Sequence, residues 1–293
     1  MTQPPPITIG LPVYNGERYL GAAIDSILAQ TFTDFVLFVS DNASTDSTRE
    51  IVQEYARRDE RVVFSRSPEN RGAIWNFNHV FAECRSPYFK WAAGDDMLAP
   101  TCVERCLETL RAAPPAVALV YPRTTMIGPD GEVAGEVEDG LDARERSPYR
   151  RLHHVVMNMV YGNVLFAVMR SDTLRRTSGH GAFPSGDLVL LAELALLGEF
   201  WVLPERLFLR REHEGMSRKA HESTDALAAW LDPSTSWHGS EQRRLLREYV
   251  AMVWRSPYSP GSRLLLEATL LATWVRRYNG LDRVKARVTA RGR

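Results

Sequence analysis

The chain has 293 residues, 44% of them apolar, with 36 basic against 36 acidic side chains. Such a length buries a sizeable core, as one large domain or a domain with an appendage. The zero net charge gives no electrostatic reason to expect a nucleic-acid partner, and three cysteines, Cys84, Cys102 and Cys106, form no disulfide framework. A reducing, cytoplasmic setting is expected.

Met1 to Pro6 lacks the basic flank and apolar stretch of a signal peptide. Ile7 to Val13 reads as a buried strand that Pro12 breaks. Asn15-Gly16 is expected to cap a helix whose apolar positions Leu20, Ile24, Ile27 and Leu28 share one face. Phe35 to Ser40 is a near-continuous apolar run, as in a strand covered on both faces. Ser47-Thr48-Arg49-Glu50 has the pattern of a capping box ahead of Ile51, Val52, Tyr55 and Ala56. Val62 to Phe64 predicts a third strand, and Asn70-Arg71-Gly72 opens a helix with Ile74, Phe77 and Phe81. Tyr88 to Ala93 is a fourth strand. Pro100 then starts a helix with Val103, Leu107 and Leu110, and Ala116 to Tyr121 is a fifth strand. Cys102 and Cys106, four apart on that helix, are read as buried packing. The β-α-β-α order predicts an α/β fold, with a mostly parallel sheet and helices on both faces.

After residue 122 the rhythm changes. Gly128-Pro129-Asp130-Gly131 predicts a hairpin turn, and residues 135–148 read as a charged loop. Leu165 to Met169 predicts a strand, Asp187 to Leu197 a helix, and Phe200 to Leu203 and Leu207 to Arg211 two further strands. Beyond 220 the pattern is helical: Asp225 to Leu231, Ser240 to Trp254 and Arg263 to Tyr278. Residues 1–121, 122–220 and 221–293 are therefore expected to be a ligand-binding half, a second half and a helical extension. The apolar stretch Leu264 to Val275 contains Glu267 and is too short to span a bilayer.

The chemistry gathers at predicted strand ends, where open α/β sheets bind ligands. Asp41 closes one strand, and Asp95 and Asp96 follow another. Adjacent carboxylates repel unless a cation joins them. Three of them at one sheet rim suggest a hard divalent cation, Mg²⁺ or Mn²⁺, and the phosphate it holds. No Gly-x-Gly-x-x-Gly follows the first strand, and no phosphate-cradling Gly-x-x-x-x-Gly-Lys-Ser/Thr is present. Instead Leu11 to Gly16 turns at Pro12 and offers Tyr14 as a flat ring for a base, with Asn15 beside it. Asp41 can accept a hydrogen bond from a pyrimidine imide, and Asn42 and Ser44 lie on the same loop.

Taken together, Ile9 to Gly16, Gln30 to Phe35, Ser40 to Asp46, Asn70-Arg71-Gly72, Ala93 to Asp96, Pro184 to Leu188 and Arg210 to Ser217 resemble glycosyltransferase family 2 over about residues 7–215. These are inverting sugar transferases with the nucleotide-binding GT-A fold. The resemblance implies a nucleoside-diphosphate sugar donor, of UDP or dTDP type, and a saccharide or lipid-linked acceptor. It implies nucleotide-sugar contacts at Pro12, Tyr14, Asn15, Asp41, Asn42, Ser44, Asn70, Arg71, Gly72, Asp95 and Arg211, and a cation held by Asp95, Asp96 and His213. Ala93 stands where the family's Asp-x-Asp motif has its first acid. Asp187, in the loop and helix start that resemble the acceptor side, is the implied base, needed to take the acceptor hydroxyl's proton.

Trp91 and Trp201 are read as core packing, Trp75 as lying beside the donor loop, and His153, His154 and His180 as surface or loop residues. Two other readings remain at this point: a nucleotidyltransferase, against which the lack of a basic residue in Leu11 to Gly16 argues, and a sugar-nucleotide-binding protein without turnover. The basic residues Arg276, Arg277, Arg283, Lys285, Arg287, Arg291 and Arg293, opposed by Asp282, raise a peripheral membrane contact at the tail, against the simpler reading of a solvated basic end.

Overall fold

A computed structural model of the chain describes residues 4–137, 141–159, 162–215, 223–234 and 240–290, with side chains as far as 278. Its centre is β1 (Ile7–Val13), buried at every position. On one side β2 (Phe35–Asp41) and β3 (Val62–Arg66) follow, and on the other β4 (Tyr88–Trp91), all parallel. Beyond β4 the sheet becomes mixed. β8 (Val168–Arg170) is antiparallel to both β4 and β6 (Val117–Ile127). β9 (Glu199–Arg211) lies parallel to β6, and β5 (Met97–Leu98) and β7 (Val133–Val137) are antiparallel additions. The strand order is β3-β2-β1-β4-β8-β6-β9-β5, with β7 on β6.

Helices cover both faces, as the sequence predicts. On one face Leu20, Ile24 and Ile27 of α1 (Leu20–Leu28) share a core with β1 and β2, and Cys102, Val103 and Leu107 of α4 (Cys102–Ala112) extend that core over β6 and β8. α2 (Thr48–Arg58) adds Val52. On the other face Val80 of α3 (Ala73–Ala82) and Leu190, Leu191 and Leu194 of α7 (Gly186–Leu197) enclose Phe89, Trp91 and Leu119. Trp91 is thus core, and its indole N–H donates to the Phe77 carbonyl at 3.0 Å. A third cluster joins α7 and α5 (Pro148–Asn158) to α9 (Glu241–Arg255) and α10 (Pro260–Ala290) through Leu152, Leu196, Tyr249, Met252, Leu266 and Leu270. Between these lie α6 (Ser171–Arg175) and α8 (Thr224–Leu231).

Several expectations change. The strand predicted over Leu165 to Met169 is a 3₁₀ turn, Gly162–Phe166, followed by β8. The two strands predicted at 200–203 and 207–211 are one, because β6 runs on to Ile127 and supplies a partner along the whole length. Pairing jumps from Pro122–Leu203 to Arg123–Arg206, so Pro204 and Glu205 bulge out, which frees the proline from ladder duty. The boundary expected after residue 121 falls inside β6. α1 begins at Leu20 rather than at the Asn15-Gly16 cap, with the Tyr19 and Leu20 amides donating to the Gly16 carbonyl. The capping box at Ser47 is not made. Asp46 Oδ1 accepts the Thr48 amide at 3.0 Å instead, a carboxylate at a helix N-terminus where the dipole favours it.

Candidate active site

Register builds the site. Val13 stands opposite Asp41 and Asp41 opposite Arg66, so the loops that leave β1 and β2 emerge side by side with an arginine on the neighbouring strand. These loops are laced together. The Asn15 amide donates to Ser44 Oγ at 2.9 Å, and the Thr45 amide to Asn15 Oδ1 at 2.9 Å. The Gly16 amide donates to Thr48 Oγ1 at 2.8 Å. Asn15 holds φ 51°, a left-handed conformation that asparagine tolerates. Tyr14 remains exposed at this edge, and Pro12 is buried within β1.

Asp41 is fully buried. Its Oδ1 accepts the Ser44 amide at 2.8 Å, and its Oδ2 is paired with the Arg66 guanidinium, which also donates to the Ser44 carbonyl at 3.0 Å. A carboxylate with no access to water needs such a partner. Asn42 ties in the third loop: Nδ2 donates to Asn70 Oδ1 (2.9 Å) and the Gly72 carbonyl (3.1 Å), and Oδ1 accepts the Arg71 amide (3.1 Å). Asn70 Oδ1 also accepts the Gly72 amide. Asn42 and Asn70 therefore set the loop's shape. The Arg71 guanidinium lies 4.4 Å from the Trp75 ring centre, and that ring stacks on His79 at 4.7 Å.

The residues after β4 meet the end of β9. Asp95 Oδ2 lies 3.0 Å from His213 Nε2. The Gly215 amide donates to His213 Nδ1, which assigns the ring proton to Nε2 and makes His213 the donor to Asp95 in the neutral tautomer. Asp96 turns the other way, into the protein, where its Oδ1 accepts the Arg211 amide at 2.8 Å. Burial, reinforced by the charge of Asp95, pushes the Asp96 carboxyl up to about 8. The Arg211 guanidinium is consumed by carbonyls of Asp95, Gly128 and Pro129, at 2.9 to 3.0 Å, and sits 4.8 Å from the centre of the Tyr19 ring. Arg211 thus braces the Asp95 backbone from behind. Ser217 lies outside the described residues. Among the described residues no three His, Cys, Asp or Glu side chains converge as a metal site. What faces outward is one carboxylate, Asp95, 36% exposed, with His213 against it.

Asp187 is the second residue of α7, after Ser185 in the left-handed region (φ 64°). Its carboxylate lies against Gly162, where a side chain would meet Oδ2 at 2.8 Å, and no hydrogen bond to it is formed among the described residues. Gly186 packs on the Gly181 carbonyl, which brings His180 near Asp187. Burial holds the His180 imidazole below its ordinary range, against the opposing charge of Asp187. His180 is thus less peripheral than expected, and its amide and carbonyl are both paired with the Asn78 side chain at 2.9 Å. Next to Gly162, buried Asn163 accepts from the Arg210 guanidinium at 2.6 Å, and the charge of Arg210 also acts on Asp96. Sequence reading missed Arg66, Asn163 and Arg210 as members, because their partners lie at least 25 residues away in the chain.

The chain is thus an α/β protein with a mixed sheet, carboxylates at its rim and laced loops at its strand ends. A family model for glycosyl transferase family 2 matches residues 8–168, and the chain belongs to that family. It is 34% identical over 129 residues, 44% of this chain, to a chondroitin synthase of Escherichia coli, and 30% identical over 106 residues to a putative glycosyltransferase, EpsE, of Bacillus subtilis. The matches span 18% and 38% of those relatives. The fold is similar to that of S. aureus TarS residues 1–349, at a TM-score of 0.64 and 16% identity, over 92% of this chain and 71% of that one. It is also similar to a mannosyltransferase of Pyrobaculum calidifontis in complex with GDP-Man and Mn²⁺, at a TM-score of 0.53 and 16% identity, over 94% and 87%.

Proposed function

We propose that the protein transfers a sugar from a nucleoside-diphosphate donor, of UDP or dTDP type, to a hydroxyl of a saccharide or lipid-linked acceptor, with inversion and with help from a divalent cation. The observation that carries this reading is the Asp95–His213 pair, 3.0 Å apart after β4 and β9, together with Asp187 at the start of α7, a carboxylate that lies against Gly162 and forms no hydrogen bond among the described residues. Tyr14, Asp41 with Arg66, Asn42, Ser44 and the Asn70-Arg71-Gly72 loop form the nucleotide end. Asp95, with His213 beside it, suits a Mg²⁺ or Mn²⁺ that also takes diphosphate oxygens, since such a cation needs only one or two protein carboxylates. When bound, the cation neutralises charge on the leaving diphosphate. The buried Asp96 serves instead to hold β9, and Arg211 to brace Asp95. Asp187 accepts the proton of the attacking hydroxyl. Peripheral contact of the basic tail with the cytoplasmic face of a membrane belongs to the same reading, because lipid-linked acceptors reside there.

Two substitutions separate the roles. Asp187→Asn keeps its shape and its place at the helix start and should leave binding of donor and Mn²⁺ intact while cutting single-turnover transfer by about 10²–10⁴-fold. Asp95→Ala should abolish the effect of Mn²⁺ on the melting temperature with UDP. Transfer at near-normal rate by Asp187→Asn, with an unchanged melting curve, would remove the base assignment.

A further inference from the structure

The outer face of α10 is apolar and uncovered. Its inner face buries Leu266, Leu270 and Thr273 against α5 and α9. On the opposite side Leu264, Leu265, Leu271 and Val275 are 40% to 59% exposed. Ala268 and Ala272, also exposed, fill the gaps between them. Spacings of four, three and four residues from Leu264 to Val275 place Leu264, Ala268, Leu271 and Val275 in one row along the helix. Trp254, at the end of α9, extends the patch: its ring is 42% exposed, and its indole N–H donates to Glu267 Oε2 at 2.9 Å. An apolar strip of this length is not ordinary for a surface left to water.

Charge decides what covers it. Residues 276–293 carry seven basic side chains and one acid, Asp282. Arg277 is committed to the carbonyls of Val156 and Met159, which fixes α10 to the body of the protein, while Arg276 beside it is exposed. A second copy packed on the same row in parallel would set these like charges side by side. An anionic lipid surface attracts them and accepts the apolar row in its headgroup–acyl boundary, with a tryptophan at the level it prefers. No described helix is long and apolar enough to cross a membrane, so such a helix lies along the surface.

We propose that α10 and Trp254 form a seat for an anionic bilayer, in which the row Leu264, Leu271 and Val275 enters the interface and the basic segment neutralises lipid phosphates. This deepens the lipid-linked reading of the acceptor, and its test uses no sugar nucleotide, so its failure and that of glycosyl transfer are distinguishable. The whole chain is floated with phosphatidylcholine vesicles with and without phosphatidylglycerol, at about 0.1 M and about 0.5 M salt. Binding is expected only to the anionic vesicles, to fall as salt rises, and to drop by about tenfold or more in Leu264→Glu/Leu271→Glu. Both side chains are exposed, so the melting curve should not move. The milder pair Leu265→Ser/Val275→Ser must act in the same direction and covers the case in which the first fails to fold. Binding by the variants equal to that of the unaltered chain would overturn the seat. So would the absence of vesicle binding, or light scattering that shows a dimer which the same variants dissolve.

Discussion

At the scale of single residues, buried carboxylates mark out what each acid does. Asp41 is paired with Arg66, the Asp96 carboxyl is pushed up by burial, and Asp95 is partly exposed beside His213. Glu193, on α7, is a fourth case. It is 6% exposed and accepts the amide and hydroxyl of Ser178 at 2.9 and 3.3 Å. Beside it is a cavity of about 300 Å³ that Glu248 and Arg255 also line. Burial raises its carboxyl above the ordinary 4.5, with the Ser178 bonds and Arg255 opposing. A carboxyl raised on folding holds its proton more firmly in the folded state. Its contribution to stability is therefore fully present below the unfolded value and is lost as pH rises through the folded one. Glu193→Gln keeps the acceptor for the Ser178 amide and cannot ionise. Its melting temperature relative to the unaltered protein should climb as pH rises above the ordinary 4.5 of a glutamate. Parallel melting curves across that range would show that Glu193 does not titrate there.

At the scale of elements, α8 covers the Asn70-Arg71-Gly72 loop. Leu227 and Leu231 pack with Ile74, and the carbonyl of Leu231 comes so close to Gly72 that a Cβ there would sit 2.4 Å from it. Gly72 also holds φ 85° and ψ 159°, a region essentially closed to other residues. Close approach and backbone conformation thus both demand glycine. Gly72→Ala should cost about 1–3 kcal/mol, lift α8 and weaken donor binding through Asn70 and Arg71. Amide exchange should rise across 224–231 before it rises in β1 or β2. Unchanged exchange in α8 would mean that the loop, not the helix, absorbs the added methyl. None of this was legible in the sequence, where Asn70-Arg71-Gly72 stands about 150 residues from its cover.

At the scale of the whole molecule, the expected division after residue 121 meets a continuous sheet. β4 takes β8 as its outer neighbour, and β8 takes β6. Lys90, 1% exposed on β4, donates to the carbonyl of Phe166 from the second half. A chain ended after Tyr121 would bare the β4 edge, cut β6 in the middle and strand a buried ammonium, whose uncompensated burial is costly. The full chain should melt in one cooperative step through the sheet. The 1–121 fragment should show no cooperative transition by near-ultraviolet circular dichroism. A fragment that melts cooperatively would show that the first half folds without the second.

Local order came from the sequence. Apolar runs and helical periodicity located β1, β2, β4, α1, α3, α4 and α7, because side chains that must leave water repeat at the period of the element they build. The motifs that carry the family resemblance, Asp41 to Asp46 and Gly94 to Asp96 above all, could be read for the same reason: a ligand-binding loop is a short contiguous stretch at a strand end. Pairing could not. That Asp41 meets Arg66, that Asp96 looks inward to the Arg211 amide while Asp95 looks outward to His213, and that β6 merges two predicted strands into one all depend on register and strand order. Those are fixed by contacts between residues dozens of positions apart, which a pattern along one chain does not encode. The sequence determined which residues are chemically able to act. Only the tertiary structure decided which of them are already occupied in holding the protein together.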